Sequence, residues 1–194
     1  VFARMERPLI LKAEPDSRPV SEDLRRMLME LAALTDKLTV EWTPPSDGPE
    51  RPCVRVLRAD GADTGIAFHG VPGGHEFNSF VVGLYNAAGP GQSIDPALAE
   101  AIAAIDRPLD LQIVVALSCT MCPELVIAAQ KIAASNPLVT AKVYDVNHFP
   151  ELRERYKIMS VPCLIINKAK VAFGKKTLGQ LLELLAEPES GQTG

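Results

Sequence analysis

The sequence predicts an α/β protein of two similar halves, each a central mixed β-sheet flanked by helices. Three observations predict it. Short Ile- and Val-rich runs alternate with stretches of helical periodicity along all 194 residues. Each half reads strand, helix, strand, then X-Pro-Cys opening a further strand, a hairpin and a last helix. Arg51-Pro52-Cys53 and Val161-Pro162-Cys163 hold the same place in the two halves, as an internal duplication requires. In the second half, the apolar run 111–117 ends in Ser-Cys-Thr-Met-Cys-Pro immediately before a helical stretch. The expected division is 1–90, 91–187 and a polar, Gly-containing tail or linker at 188–194.

Taken in order, residues 2–6 read as the end of a helical turn and residues from Pro8 onward as a strand. Ser21 is the expected N-cap of a helix reaching about Asp36, with Glu22 and Asp23 at its positive end and Leu24, Leu28 and Leu31 as its stripe. A strand follows at 38–43. The Pro-rich stretch 44–52 breaks regular structure and stands where the other half has a helix. Strands at 53–57 and around 66–68 flank an Asp60-Gly61 turn. Gly73-Gly74 precedes a helix with Phe77, Phe80, Val81, Leu84, Tyr85 and Ala88 on one face and Gly89 past its end. Beyond a hinge at 89–93, Asp95 and Pro96 open a helix striped by Leu98, Ile102 and Ile105. The second half then repeats the pattern: strand, Cys-x-x-Cys helix, strand at 139–146, short helix at 150–157, strand from Cys163, its hairpin partner at 171–173, and a helix with a Thr177/Gln180 capping box.

Composition bounds the function. At 47% hydrophobic and 23% charged residues the chain has an ordinary soluble balance, and a net charge of −4 argues against nucleic acid as a partner. No apolar run reaches membrane-spanning length, and no secretory segment opens the chain. Four cysteines in 194 residues do not form a disulfide scaffold, so a cytoplasmic location is expected. The chain opens on Val rather than Met, and is expected to be processed or a piece of a longer protein.

Cys119 and Cys122 fall where a strand turns into a helix, three positions apart and within disulfide reach. Free N–H groups and the positive end of the helix dipole favour a thiolate there, the species that attacks disulfides. This is the arrangement of a thioredoxin-like redox centre. A half zinc site and an inert buried pair compete with that reading. Zinc needs two further ligands, and Cys53, Cys163, His69, His75 and His148 lack the spacing. The first cysteine of the pair is the expected attacking thiolate and the second the resolving thiol.

With Leu-Ser-Cys-Thr-Met-Cys-Pro at 117–123, Ser-Val-Pro at 160–162 and Gly-Gly-His-Glu-Phe at 73–77, the chain resembles the N-terminal region of the flavoprotein component, F, of alkyl hydroperoxide reductase. The resemblance implies two fused thioredoxin-like folds, with a redox pair only in the second. It implies a protein disulfide reductase that takes electrons from a thioredoxin-reductase-like flavoprotein and passes them to a 2-Cys peroxiredoxin. It implies a cis-proline at Pro162 facing the disulfide. It also implies that Glu76 is an acid/base group brought from the first half. On the residues alone, Glu76 reads as a helix-end charge that favours the dipole. Ile113, Val114, Val115 and Ala116 give the strand before Cys119 no carboxylate, so proton transfer to Cys122 must draw on another element. Thr120, Met121, Val161 and Pro162 are the expected partner-binding positions. Cys53 and Cys163 are expected to be buried and inert. No G-x-G-x-x-G follows a strand, so FAD and NAD(P)H are expected only on a partner or on a missing C-terminal module. The alternatives are a stand-alone glutaredoxin- or thioredoxin-like disulfide oxidoreductase and a non-enzymatic binding module.

Overall fold

A computed structural model of the chain describes residues 1–188, so the expected tail, apart from Pro188, lies outside the described residues. A 3-10 turn, Phe2–Arg4, precedes β1 (Leu9–Glu14), α1 (Val20–Ala32), β2 (Leu38–Trp42), β3 (Cys53–Arg58), β4 (Asp63–His69) and α2 (Glu76–Ala88). Then follow α3 (Pro96–Ala103), β5 (Leu109–Val115), α4 (Cys122–Ser135), β6 (Val139–Asp145), α5 (Glu151–Arg155), β7 (Cys163–Ile166), β8 (Lys170–Phe173) and α6 (Leu178–Ala186).

The strands form one eight-stranded sheet in the order β2-β1-β3-β4-β6-β5-β7-β8. Within each half the pattern is the same: the first strand pairs parallel with the second and antiparallel with the third, which pairs antiparallel with the fourth. The expected class of two fused mixed-sheet folds holds. The two sheets are also one, because β4 pairs parallel with β6 from Ile66↔Ala141 to His69↔Tyr144. Left apart, each half would leave that row of backbone N–H and C=O groups unpaired, and the seam satisfies both rows. The hydrophobic pattern of a strand does not say which edge it meets, so this join was not legible in the residues.

Gly65 belongs to the seam. Its φ is +83°, and a Cβ there would lie 2.6 Å from the Val139 carbonyl oxygen. Gly65→Ala is expected to lower stability by about 1–3 kcal/mol through overpacking, read as a lower urea midpoint at unchanged slope.

Alternation along the strands sends side chains to two clusters. Ile113, Val115, Val143 and Leu164 join Phe68, Phe80, Leu84, Leu125 and Val126 in the larger core with α2 and α4. Val114, Tyr144, Cys163 and Ile165 join Phe149, Leu152 and Ile158 in a smaller one.

Some local expectations are corrected. Ser21 lies inside α1, with Pro19 in the capping position. The Ser21 hydroxyl instead donates to Asp16 Oδ1 at 2.7 Å and accepts from the Asp16 N–H at 2.9 Å. α1 ends at Ala32, and Leu34 is exposed. Phe77, placed on the apolar face of α2 by periodicity, is 43% exposed. The Asp95 cap, whose Oδ1 accepts from the Ala97 N–H at 2.8 Å, and the Thr177/Gln180 capping box form as expected.

Helices α2 and α4 pack side by side and run the same way. At their starts the His75 N–H donates to the Leu117 carbonyl at 2.9 Å. Midway the Gln130 side-chain amide donates to the Ser79 carbonyl at 2.8 Å. Beyond the end of α2 the Lys131 ammonium donates to the Gln92 carbonyl at 2.9 Å.

Candidate dithiol site

Cys122 is the first residue of α4, and Pro123, lacking an N–H, suits that first turn. Cys119 stands in the turn before the helix, its N–H donating to the Ala116 carbonyl at 2.9 Å. Cys119 thus precedes the helix, and Cys122 alone stands in its first turn. The two are joined as a disulfide with Cα atoms 5.6 Å apart. Their environments differ: Cys119 is half-buried, while Cys122 is fully enclosed. The positive end of α4 acts on Cys122 directly, where negative charge is favoured.

Val161–Pro162 is a cis peptide bond. The Val161 carbonyl lies 3.9 Å from Cys119 Sγ, so the fold brings β7's approach loop to the first cysteine. Val161 is half-buried and Pro162 buried, while Thr120 and Met121 form the exposed turn between the cysteines. Met159, just upstream of Ser-Val-Pro, is 88% exposed. Sequence reasoning did not single it out, because a lone Met carries no periodic signal.

Glu76 is the first residue of α2 and has no solvent exposure. Its surroundings explain Gly74 in the Gly-Gly-His-Glu-Phe stretch. Gly74 has φ +53°, and a Cβ there would lie 2.7 Å from the Leu117 carbonyl oxygen. A glycine thus lets the start of α2 press against the residue two places before Cys119. His75 is exposed and makes no side-chain cap. Burial pushes the Glu76 carboxyl up from 4.5 to about 7, with the Ser79 hydroxyl pulling the other way. Ile113, Val114 and Val115 are wholly buried and apolar, so β5 supplies no carboxylate beside the cysteines.

The corresponding place in the first half is closed. Arg18 lies as far beyond the end of β1 as Cys119 lies beyond the end of β5. Its guanidinium donates to the Arg51 carbonyl at 2.7 Å, the counterpart of the Val161 carbonyl, and is held by Asp16 at 2.6 Å. A third bond runs to the His148 carbonyl at 2.9 Å.

Cys53 and Cys163 open β3 and β7, both fully buried. Burial, followed by the Glu14 charge, pushes the Cys53 thiol up to about 12, and its Sγ–H donates to Glu14 Oε2 at 3.3 Å. Burial pushes Cys163 to about 11 against the pull of Lys176. Thiols this reluctant to ionise do not attack disulfides. Cys53→Ser and Cys163→Ser are therefore expected to keep disulfide exchange, at a stability cost of about 1–3 kcal/mol from a buried hydroxyl. A stopped-flow exchange rate alongside a melting curve checks both.

Among the described residues no group of three or more His, Cys, Asp or Glu side chains is placed to hold a metal ion. No helix among them is long and apolar enough to cross a membrane.

A family model described as a thioredoxin domain matches residues 109–186. The N-terminal domain (NTD_N/C) of alkylhydroperoxide reductase AhpF from Enterococcus faecalis superposes with a TM-score of 0.89 at 37% identity, covering 95% of this chain and 94% of that one. The F component of alkyl hydroperoxide reductase from Pseudomonas aeruginosa is 32% identical over 188 residues, 97% of this chain and 35% of that protein. A protein named NADH dehydrogenase from Ferdinandcohnia aciditolerans is 31% identical over 185 residues, 93% of this chain and 34% of its own length. The chain spans about a third of the length of the curated relatives it matches.

Proposed function

Because the chain belongs to the family of the AhpF N-terminal domain of alkyl hydroperoxide reductase, we propose that it is a dithiol–disulfide electron carrier serving peroxide detoxification. In this reading residues 91–187 carry the chemistry and residues 1–90 form a fold without redox cysteines that contributes Glu76. A thioredoxin-reductase-like flavoprotein, joined to the chain or separate, holds the flavin and oxidises NAD(P)H. A 2-Cys peroxiredoxin is the acceptor. A reducing cytoplasm suits such a relay.

The steps follow from the unequal cysteines. A donor thiolate attacks Cys119 Sγ, the Cys119–Cys122 bond breaks, and Cys122 leaves as a thiolate stabilised at the start of α4. Glu76, neutral below about 7, gives it a proton. The donor's second thiolate then attacks its own sulfur in the mixed disulfide and releases Cys119. Toward the acceptor the order reverses. The Cys119 thiolate attacks the acceptor disulfide and one acceptor sulfur leaves. Cys122, deprotonated by Glu76, then attacks Cys119 Sγ and frees the other. Each cycle moves two electrons and two protons. Thr120, Met121 and the Val161–Pro162 backbone contact the partner segment that carries the attacked sulfur.

The observation that carries this reading is the pairing of an accessible Cys119, beside the Val161 carbonyl, with a fully buried Cys122 at a helix start. The test is to supply the oxidised chain with NADPH or NADH and a thioredoxin-reductase-like flavoprotein, then with an oxidised 2-Cys peroxiredoxin and peroxide. Peroxide-dependent nicotinamide oxidation that requires the chain is expected. Reduction of the chain without transfer to the peroxiredoxin would leave a general disulfide reductase, and failure of both steps would leave a binding module.

A further inference from the structure

A run of buried polar groups lies between the first half of α2 and the middle of α4. Glu76 and Ser79 have no solvent exposure and Gln130 has 1%. The Ser79 hydroxyl is within hydrogen-bonding reach of both Glu76 Oε2 and the Glu76 carbonyl, the latter at 3.0 Å. The Gln130 amide donates to the Ser79 carbonyl at 2.8 Å. Room for that amide comes from Gly83, where a Cβ would lie 2.8 Å from the Gln130 side chain. Glu76 Oε1, buried like the rest, has no partner among the described residues.

A hydroxyl has one proton, and two acceptors surround this one. When Glu76 is ionised, the Ser79 O–H turns to Oε2 and donates to the charge. When Glu76 is neutral, with its proton on Oε1, Oε2 is an uncharged carbonyl oxygen and the Ser79 O–H is free to turn to the Glu76 main-chain carbonyl. The same side chain therefore serves both protonation states without any backbone movement. It also fixes Oε2, which leaves Oε1 as the oxygen free to exchange a proton. Gln130 Oε1 is likewise buried with no partner among the described residues, but an amide oxygen does not titrate, so Glu76 Oε1 is the one of the two that can take up or release a proton.

We infer that Ser79 is the positioning residue that holds the Glu76 carboxyl for proton exchange, and that Gln130 fixes Ser79 by spanning from α4 to α2. The inference rests on the proposed acid/base role of Glu76. It makes the proton-handling unit a joint product of both halves: the carboxyl and hydroxyl come from α2, and the amide that anchors them comes from the cysteine-bearing helix. A bond to the ionised carboxylate is stronger than one between neutral groups, so Ser79 also sets the pH at which Glu76 begins to act as a base.

The test uses the reduced chain and an aromatic nitrobenzoate disulfide, whose two thiolates leave one after the other. Attack by Cys119 releases the first and forms a Cys119–aryl disulfide. Cys122, giving its proton to the Glu76 carboxylate, then attacks Cys119 Sγ and releases the second. The pH profile of the second phase is the readout. In the unaltered chain this phase is expected to rise through an inflection near 7. Ser79→Ala is expected to move the inflection upward and slow the second phase at pH ~6.5 by roughly three- to tenfold, while the first phase is unchanged. Ser79→Cys, which keeps the volume and weakens the donor, should give a smaller shift of the same sign and stands in if the alanine variant fails to fold. Gln130→Met should shift it in the same direction. Glu76→Gln separates the two ideas. If it abolishes the inflection while the folded Ser79 variants leave it in place, the positioning role is overturned and the acid/base role stands. If the inflection survives Glu76→Gln, the acid/base role itself falls, and the positioning role with it.

Discussion

Cys119→Ser is expected to reduce disulfide exchange to the uncatalysed background, whereas Cys122→Ser should stall with its partner covalently attached. The difference follows from access. Cys119 is half-buried beside the exposed Thr120–Met121 turn and the Val161 carbonyl, so an external sulfur reaches it. Cys122 is fully enclosed at the start of α4 and is bonded to Cys119. Removing the accessible thiol removes the attack. Removing the enclosed one leaves the attack intact and deletes the step that ends it. Mixing each reduced variant with an oxidised 2-Cys peroxiredoxin and running non-reducing electrophoresis checks this. The Cys122→Ser variant should accumulate a near-stoichiometric adduct and the Cys119→Ser variant none. The reverse pattern would exchange the two roles.

Glu76→Gln is expected to slow resolution of the mixed disulfide by ~10²–10⁴ at neutral pH, the usual worth of a positioned general base. β5 offers no carboxylate of its own, since Ile113, Val114 and Val115 are apolar and wholly buried. The same substitution has a stability consequence of known sign. The unfolded chain holds this proton only below about 4.5, whereas the folded chain holds it to about 7 because burial disfavours the charge. Between those values the folded state binds more protons, so stability falls as pH rises across that window and is lower by about 3 kcal/mol above it. Urea midpoints measured from pH ~4.5 to ~8 should show that fall in the unaltered chain and lose it in the Gln variant. A steep pH dependence retained in the variant would assign the effect to another group.

Much of the fold was legible because its signals are local. β-branched runs, the Asp95 and Thr177 caps, the Asp60-Gly61 turn and the placement of Pro52-Cys53 against Pro162-Cys163 each follow from chemistry within a few residues. The cysteine pair was legible for the same reason, since strand, turn and helix are adjacent in the chain. What escaped depends on contacts distant in sequence. The β4–β6 seam joins residues 75 positions apart, as in Ile66 with Ala141, and a strand's pattern does not name its neighbour. Ser21 has the composition of a cap, yet Asp16 takes its hydroxyl. Phe77 keeps the helical period but falls on an uncovered part of α2, where periodicity cannot tell a partner from solvent. Glu76 was legible as a helix-start acid. Its burial, and the Ser79 and Gln130 groups behind it, required the second helix to be in place.

On the proposed mode of docking, the guanidinium of Arg18 sets the valency of the molecule. In the redox half the Val161 carbonyl lies 3.9 Å from Cys119 Sγ, where the proposed partner segment would pair. In the other half Arg18 already occupies the Arg51 carbonyl and is tied to Asp16 and to the His148 carbonyl. On the proposed mode of docking, each chain grips one partner segment at a time. It cannot tether two copies of an oligomeric acceptor, and a saturated mixture approaches one chain per acceptor disulfide rather than a cross-linked network. Turnover then depends on how quickly a single site is vacated, with no avidity to delay release.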